Sequence, residues 1–126
     1  MVKRFYNAHY LVDIYDREGR LIHQVPVPKR EHASFIRRIV KRRFLGTAVV
    51  RRLAEASIFE RAHAVRCRFL SRRGSLQCSC LLPTWGYADY LAIQWGLLGG
   101  QVEQYSSEEG RRRRRLYEVK DEDVLF

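Results

Sequence analysis

One short pattern occurs three times along the chain: Asp16-Arg17-Glu18-Gly19-Arg20, Ser71-Arg72-Arg73-Gly74-Ser75 and Ser107-Glu108-Glu109-Gly110-Arg111. Each places a glycine fourth in a polar tip between two strand-like runs. Glycine adopts the positive φ that a tight hairpin turn demands, so the pattern predicts three β-hairpins. A chain built on three hairpins is committed to a mainly antiparallel sheet, with helices filling the connections.

The first hairpin joins 5–15 to 20–27. Tyr10, Val12 and Ile14 alternate on one side of its first strand, and Pro26 and Pro28 end its second, which suits an edge. The second joins 63–70 to 75–82. Val65, Cys67 and Phe69 share a face with Leu76, Cys78, Cys80 and Leu82 when the loop has two or four residues, leaving Arg66 and Arg68 beside Gln77 and Ser79 on the other. The third joins 101–107 to 112–119, with the run Arg111–Arg115 at the start of its second strand.

Phe35, Ile36, Ile39, Val40 and Phe44 fall at helical spacing in 31–44. Gly46 interrupts the pattern and Thr47 is a fair N-cap, so 48–59 reads as a second helix, buried through Val49, Val50, Leu53, Ala54 and Ala56. After Pro83, Thr84 caps a third helix, 86–98, closed by Gly99-Gly100. The order is β-β-α-α-β-β-α-β-β. Its central part matches the β-α-β-β-α-β order of a ferredoxin-like sandwich, an α+β fold. Extra N- and C-terminal strands would extend the sheet, and helices would cover one face. The expected organisation is one domain over 1–119 and an acidic, apolar-tipped tail over 120–126.

Composition narrows the functional classes. The 126 residues are 46% hydrophobic, enough for a core, and no apolar run approaches the roughly 20 residues of a membrane helix. No apolar stretch follows the basic start, so a secretion signal is not expected. Three cysteines, Cys67, Cys78 and Cys80, make no disulfide framework, and an intracellular location is the simpler expectation. Net charge is +10, with 24 Lys+Arg of which only Lys3, Lys29, Lys41 and Lys120 are lysine. Arginine presents a flat fork of donors matched to phosphate, so a polyanion is the leading partner.

The charge is clustered. Residues 29–52 hold nine basic side chains with Glu31 the one acid, and 61–88 hold five arginines and no acid. Arg66, Arg68, Arg72 and Arg73, with Arg111, Arg112, Arg113, Arg114 and Arg115, form the first candidate nucleic-acid surface. Arg37, Arg38, Arg42 and Arg43 form the second. The competing account is solvated charge, partly paired with Glu103, Glu108, Glu109 and Glu118. RNA-binding sheets of this topology stack bases on aromatic rings. The central hairpin has no aromatic on its polar face; Tyr6, Tyr10, Tyr15, Tyr105 and Tyr117 on flanking strands are the alternatives. A glycine turn at Phe44-Leu45-Gly46-Thr47 also allows a helix-turn-helix with Arg51 and Arg52 on its recognition helix.

No catalytic, metal or cofactor site is expected. His9, His23, His32 and His63 are scattered, without a nucleophile elbow or P-loop. Asp13 and Asp16 near His23 suggest at most a metal-dependent nuclease. Cys-x-Cys with His63 lacks the usual zinc-knuckle spacing, and the three cysteines fit a hairpin's inward face. Trp85, Tyr87, Tyr90 and Trp95 lie on or beside an apolar helix that is either core or a homo-oligomer interface.

The tail Lys-Asp-Glu-Asp-Val-Leu-Phe resembles the acidic tips of bacterial single-stranded-DNA-binding proteins, and Asp121, Glu122, Asp123 and Phe126 carry the resemblance. It implies recruitment of a protein partner. In size, arginine bias and lack of motifs the chain is similar to the small basic proteins of hyperthermophilic archaeal viruses. The expectation is a non-catalytic protein that holds DNA or RNA phosphates on arginine clusters, with an oligomeric assembly or virion-associated interaction protein as the alternative.

Overall fold

A computed structural model describes residues 4–106 and the backbone of the strand 111–116. The elements are β1 (Phe5–Tyr15), β2 (Leu21–Val27), α1 (Arg30–Arg42), β3 (Thr47–Glu60), a 3-10 turn (Arg61–His63), β4 (Val65–Leu70), β5 (Leu76–Leu82), α2 (Trp85–Leu97), β6 (Gln101–Ser106) and β7 (Arg111–Leu116). The strands form two antiparallel sheets, ordered β2-β1-β3 and β5-β4-β6-β7.

The two sheets are built from one repeated ββαβ unit. Shifting by 55 residues carries the strand 21–27 onto 76–82 and the helix 30–42 onto 85–97. The bulge between Ile14 and Tyr15, opposite His23 and Leu21, falls on that between Phe69 and Leu70, opposite Cys78 and Leu76. The turn bonds repeat too. Asp16 N–H donates to the Arg20 carbonyl as Ser71 N–H does to Ser75, and the Asp16 Oδ1 and Ser71 Oγ atoms each accept the backbone N–H four residues on. Beyond the helix the shift becomes 54, because the second connection is one residue shorter. Ala48, opposite Ile14, then corresponds to Val102, opposite Phe69.

The halves meet along β2 and β5, which lie against each other without a ladder between them. Each helix reaches over this seam. The Tyr90 ring of α2 stands 4.3 Å from His23 of β2, and Phe35 of α1 lines a cleft with Cys78 of β5. Under the 55-residue shift His23 becomes Cys78 and Phe35 becomes Tyr90, so equivalent positions lie at the seam in both units. Val12, Ile14, Val25 and Val27 from one sheet, Cys67, Phe69, Cys80 and Leu82 from the other, and the inner faces of both helices form one continuous core. Trp95 closes it: its Nε1–H donates to the Leu70 carbonyl at 2.7 Å, and its ring lies 5.2 Å from that of Phe35.

The α+β class is as expected, but a ferredoxin-like βαββαβ sandwich is not confirmed. The strands divide between two sheets, and the segment 48–59, expected as a helix, is part of β3. Two causes favour strand there. Val49 and Val50 are β-branched, and β1 offers an open edge that β3 fills from Thr47 to Arg52. Arg51 therefore lies on a strand, not a recognition helix, where its Nε donates to Asp13 at 2.6 Å. The ladder then skips Leu53–Ala56, and Ser57–Glu60 pairs with Phe5–Ala8 as a two-stranded arm. Tyr6 and Phe59 of this arm pack on Ala64 and Leu81 of the second unit.

Candidate nucleic-acid interface

Alternation along β4 decides which side chains face away from the core. Val65, Cys67 and Phe69 are fully buried, so Arg66 and Arg68 project from the opposite face. On β6, Val102 and Gln104 are inward and Glu103 and Tyr105 outward. The ladders align these residues in two rows, Leu81–Arg66–Tyr105 and Ser79–Arg68–Glu103. In register, β7 continues the rows with Arg112 beside Tyr105 and Arg114 beside Glu103.

Two adjoining depressions share Arg66 and Tyr105. One, of about 280 Å³, is completed by Arg68, Glu103 and Gln104; the other by Arg61, Ala64 and Leu81. Tyr105 is 46% exposed, an aromatic ring open to solvent between guanidinium groups. Arg68 is held by Glu103, Nη1 to Oε2 2.8 Å, which fixes its position and moderates its charge.

The field here is positive. Burial raises the Tyr6 phenol well above its ordinary value, opposed by the charges of Arg61 and Arg66. Burial also lowers the His32 imidazole to about 4, with Arg66 and Lys29 adding to the effect and Glu31 opposing it. The folded value lies below the unfolded one of 6.5. The stabilisation is therefore complete above pH 6.5 and is lost as pH falls toward 4, where the unfolded chain takes up a proton first. Between pH 7 and 4.5 the wild type is expected to lose roughly 2 kcal/mol of stability through His32, a figure reduced for solvent screening. His32→Phe should flatten this part of the denaturation profile; an unchanged slope would show that His32 does not control it.

The first sheet's outer face carries its charge differently. Asp13, 4% exposed, accepts from Gln24 Nε2 at 2.9 Å and from Arg51. Burial pushes its carboxyl up, but these two partners together hold it below the usual carboxylate range. Arg51 is thus paired, so of the two outer sheet faces the second carries the more open positive charge.

The remaining candidate residues have varied surroundings. Arg72 and Arg73 occupy the exposed β4–β5 tip, where Gln101 Nε2 donates to the Arg72 carbonyl. Arg37, Arg38, Arg42 and Arg43 have different surroundings. Arg37 lines a cleft with Arg30 and Arg52, Arg38 stands 5.6 Å from the centre of the Phe35 ring, Arg43 Nε donates to Gln94 of α2 at 3.0 Å, and Arg42 is at the surface. Trp95 is core, while Trp85, Tyr87 and Tyr90 are half-buried against it. The strand β7 is present, but the arginine side chains of 111–115 lie outside the described residues, as do Tyr117 and the tail with Asp121, Glu122, Asp123 and Phe126. Arg61 was not singled out by the sequence. It joins the site because the arm leads into the 3-10 turn, a tertiary effect without a local signal.

Cys78 and Cys80 lie with Sγ atoms 3.5 Å apart, and Cys67 is opposite Cys80. Among the described residues no group of three His, Cys, Asp or Glu side chains is arranged to hold a metal ion, and no helix is long and apolar enough to cross a membrane. Comparison with protein-family models, curated proteins and solved structures finds no match.

Proposed function

We propose that the protein binds nucleic acid on the outer face of its second sheet, without catalysing a reaction on it. The observation that carries this reading is the solvent-open Tyr105 ring flanked by Arg66 and Arg61, beside a strand of five consecutive arginines. A phenol ring with arginines around it suits an unpaired base stacked over phosphates, a pairing that tolerates any base sequence. Single-stranded DNA or RNA is therefore the preferred form. Duplex would engage the arginines but not the ring.

Affinity for single strands should fall linearly with log salt, with a slope of about −0.7 for each phosphate neutralised. A fluorescence-anisotropy titration over several salt concentrations, on single- and double-stranded DNA and RNA, measures this. No binding to any of the four at low salt removes the proposal.

A second reading, an assembly protein that self-associates through α2, is favoured by Ile93 and Leu97, which are 42% and 44% exposed on a largely apolar helix. Sedimentation separates the two: a monomer at all salt concentrations removes the second.

A further inference from the structure

On the helix side of the first unit, α1 and the sheet form a cleft of about 320 Å³ lined by Tyr10, Arg30, Ser34, Arg37, Val50 and Arg52. Arg30, Ser34 and Arg37 fall at i, i+4 and i+7, hence on one side of α1. Arg52 pairs with Tyr10 across the β1–β3 ladder, which fixes the opposite wall. Three guanidinium groups from two elements thus surround one concavity, with two hydroxyls among them and no carboxylate in the lining. Glu31 lines the neighbouring cleft on the other side of Arg30.

The repeat supplies an internal comparison. The corresponding positions of the second unit, 55 residues on before the strand after the helix and 54 within it, are Val65, Trp85, Asp89, Ala92, Gln104 and Ser106. There most of the positions are buried. Val65, Ala92, Gln104 and Ser106 are buried, Trp85 is half-buried, and Gln104 Nε2 donates to Asp89 Oδ1 at 3.2 Å. The architecture therefore does not require arginines or an opening at this place. In one unit it is occupied by a polar pair; in the other it is open and lined by three solvent-exposed arginines with no carboxylate among the lining residues.

We infer that this cleft is a second anion site that holds a phosphate group. Planar guanidinium forks match the oxygens of a phosphate in pairs, while Ser34 and Tyr10 add neutral donors. A terminal phosphate, with a charge near −2, suits three cations better than a singly charged backbone phosphate. Its source is either the free ion or the end of a nucleic-acid strand. The site stands independently of the Tyr105 surface.

The test uses the full chain. Thermal unfolding is followed in sodium phosphate at about 10 mM and in sodium chloride of matched ionic strength; a ligand that binds only the folded state raises the midpoint. The wild type is expected to gain a phosphate-specific shift, and Arg37→Gln with Arg52→Gln to lose most of it. Equal shifts in both would reflect the general stabilising effect of phosphate and overturn the proposal, as would no shift in the wild type. Should the double variant fail to fold, Arg52→Lys retains the charge without the fork and is expected to weaken phosphate binding about tenfold; unchanged binding overturns the proposal. Tyr105→Ser is expected to leave the phosphate shift intact, so loss of the nucleic-acid reading does not decide this one. Oligonucleotides with and without a 5′ phosphate then identify the source. A preference for the phosphorylated end that disappears in Arg52→Lys assigns the site to strand ends, and equal affinity with a retained phosphate shift assigns it to the free ion.

Discussion

Gly46→Ala and Gly100→Ala are each expected to destabilise the protein by roughly 3 kcal/mol or more, whereas Gly19→Ala and Gly74→Ala should each cost about 1 kcal/mol. All four replace a glycine by the smallest side chain, but their surroundings differ. A Cβ on Gly46 would run into the Tyr15 carbonyl oxygen and come within 2.9 Å of the Asp16 carbonyl, and backbone cannot give way as a side-chain tip can. The φ of Gly46, +137°, adds strain for any other residue. A Cβ on Gly100 would run into the Trp95 indole, which its bond to Leu70 and its packing on Phe35 and Phe69 hold in place. Gly19 and Gly74 have φ of +83° and +90° but open space where the Cβ would go, so only the left-handed backbone opposes the change. The severe pair and the mild pair each occupy equivalent places in the two repeats, 46 with 100 and 19 with 74. Urea denaturation at unchanged m-value measures the four directly. If Gly46→Ala proves as mild as Gly19→Ala, the close approach of the α1–β3 connection to β1 does not contribute to stability.

Much of the local structure was legible because it is written in short-range patterns. Hairpin tips require glycine at set places, and both the 5–27 and 63–82 hairpins form as the tips predict. The alternation of Val65, Cys67 and Phe69 against Arg66 and Arg68 assigned the faces of β4 correctly, which is why those two arginines belong to the candidate site. The bulge at Phe69/Leu70 limits that reading: Leu76, expected inside, is 51% exposed.

What failed was non-local. Val49, Val50, Leu53, Ala54 and Ala56 fit a helical spacing, yet β1 needs a partner along its open edge, and pairing outweighs weak helical periodicity. The duplication would have corrected this, since the second unit's strand, expected over 101–107, forms over Gln101–Ser106, and its counterpart begins near 47. The duplication was obscured because only Arg17/Arg72, Gly19/Gly74, Leu21/Leu76, Pro28/Pro83 and Ala33/Ala88 are identical across 10–43 and 65–98. The helices have diverged in character: α1 is strongly two-sided and basic, α2 apolar on most sides. The burial pattern persists where identity does not, as in Val12/Cys67, Ile14/Phe69, Val25/Cys80 and Ile36/Leu91, all buried. Arg51 shows the same limit at single-residue scale. It reads as one of nine basic residues in 29–52, but the fold sets it against the buried Asp13 and removes it from the open positive surface.

Replacing Arg66 and Tyr105 together by serine is expected to weaken single-stranded nucleic-acid binding by about 100-fold at low salt. The two single variants should fail in different ways, and that difference tests the mechanism. Stacking on an aromatic ring contributes roughly 1–3 kcal/mol per base and carries no charge. Tyr105→Ser should therefore lower affinity about tenfold while leaving the salt slope unchanged, and should have little effect on duplex. Arg66→Ser removes one phosphate contact, so the slope should become shallower by about 0.7 and the loss should appear on every sequence. Both side chains project from the face opposite the core, so unfolding midpoints should stay near that of the wild type and exclude a loss of fold. A Tyr105→Ser variant with undiminished affinity would show that the ring is not a stacking platform. Binding would then rest on the arginines alone, and the preference for unpaired bases would disappear with it.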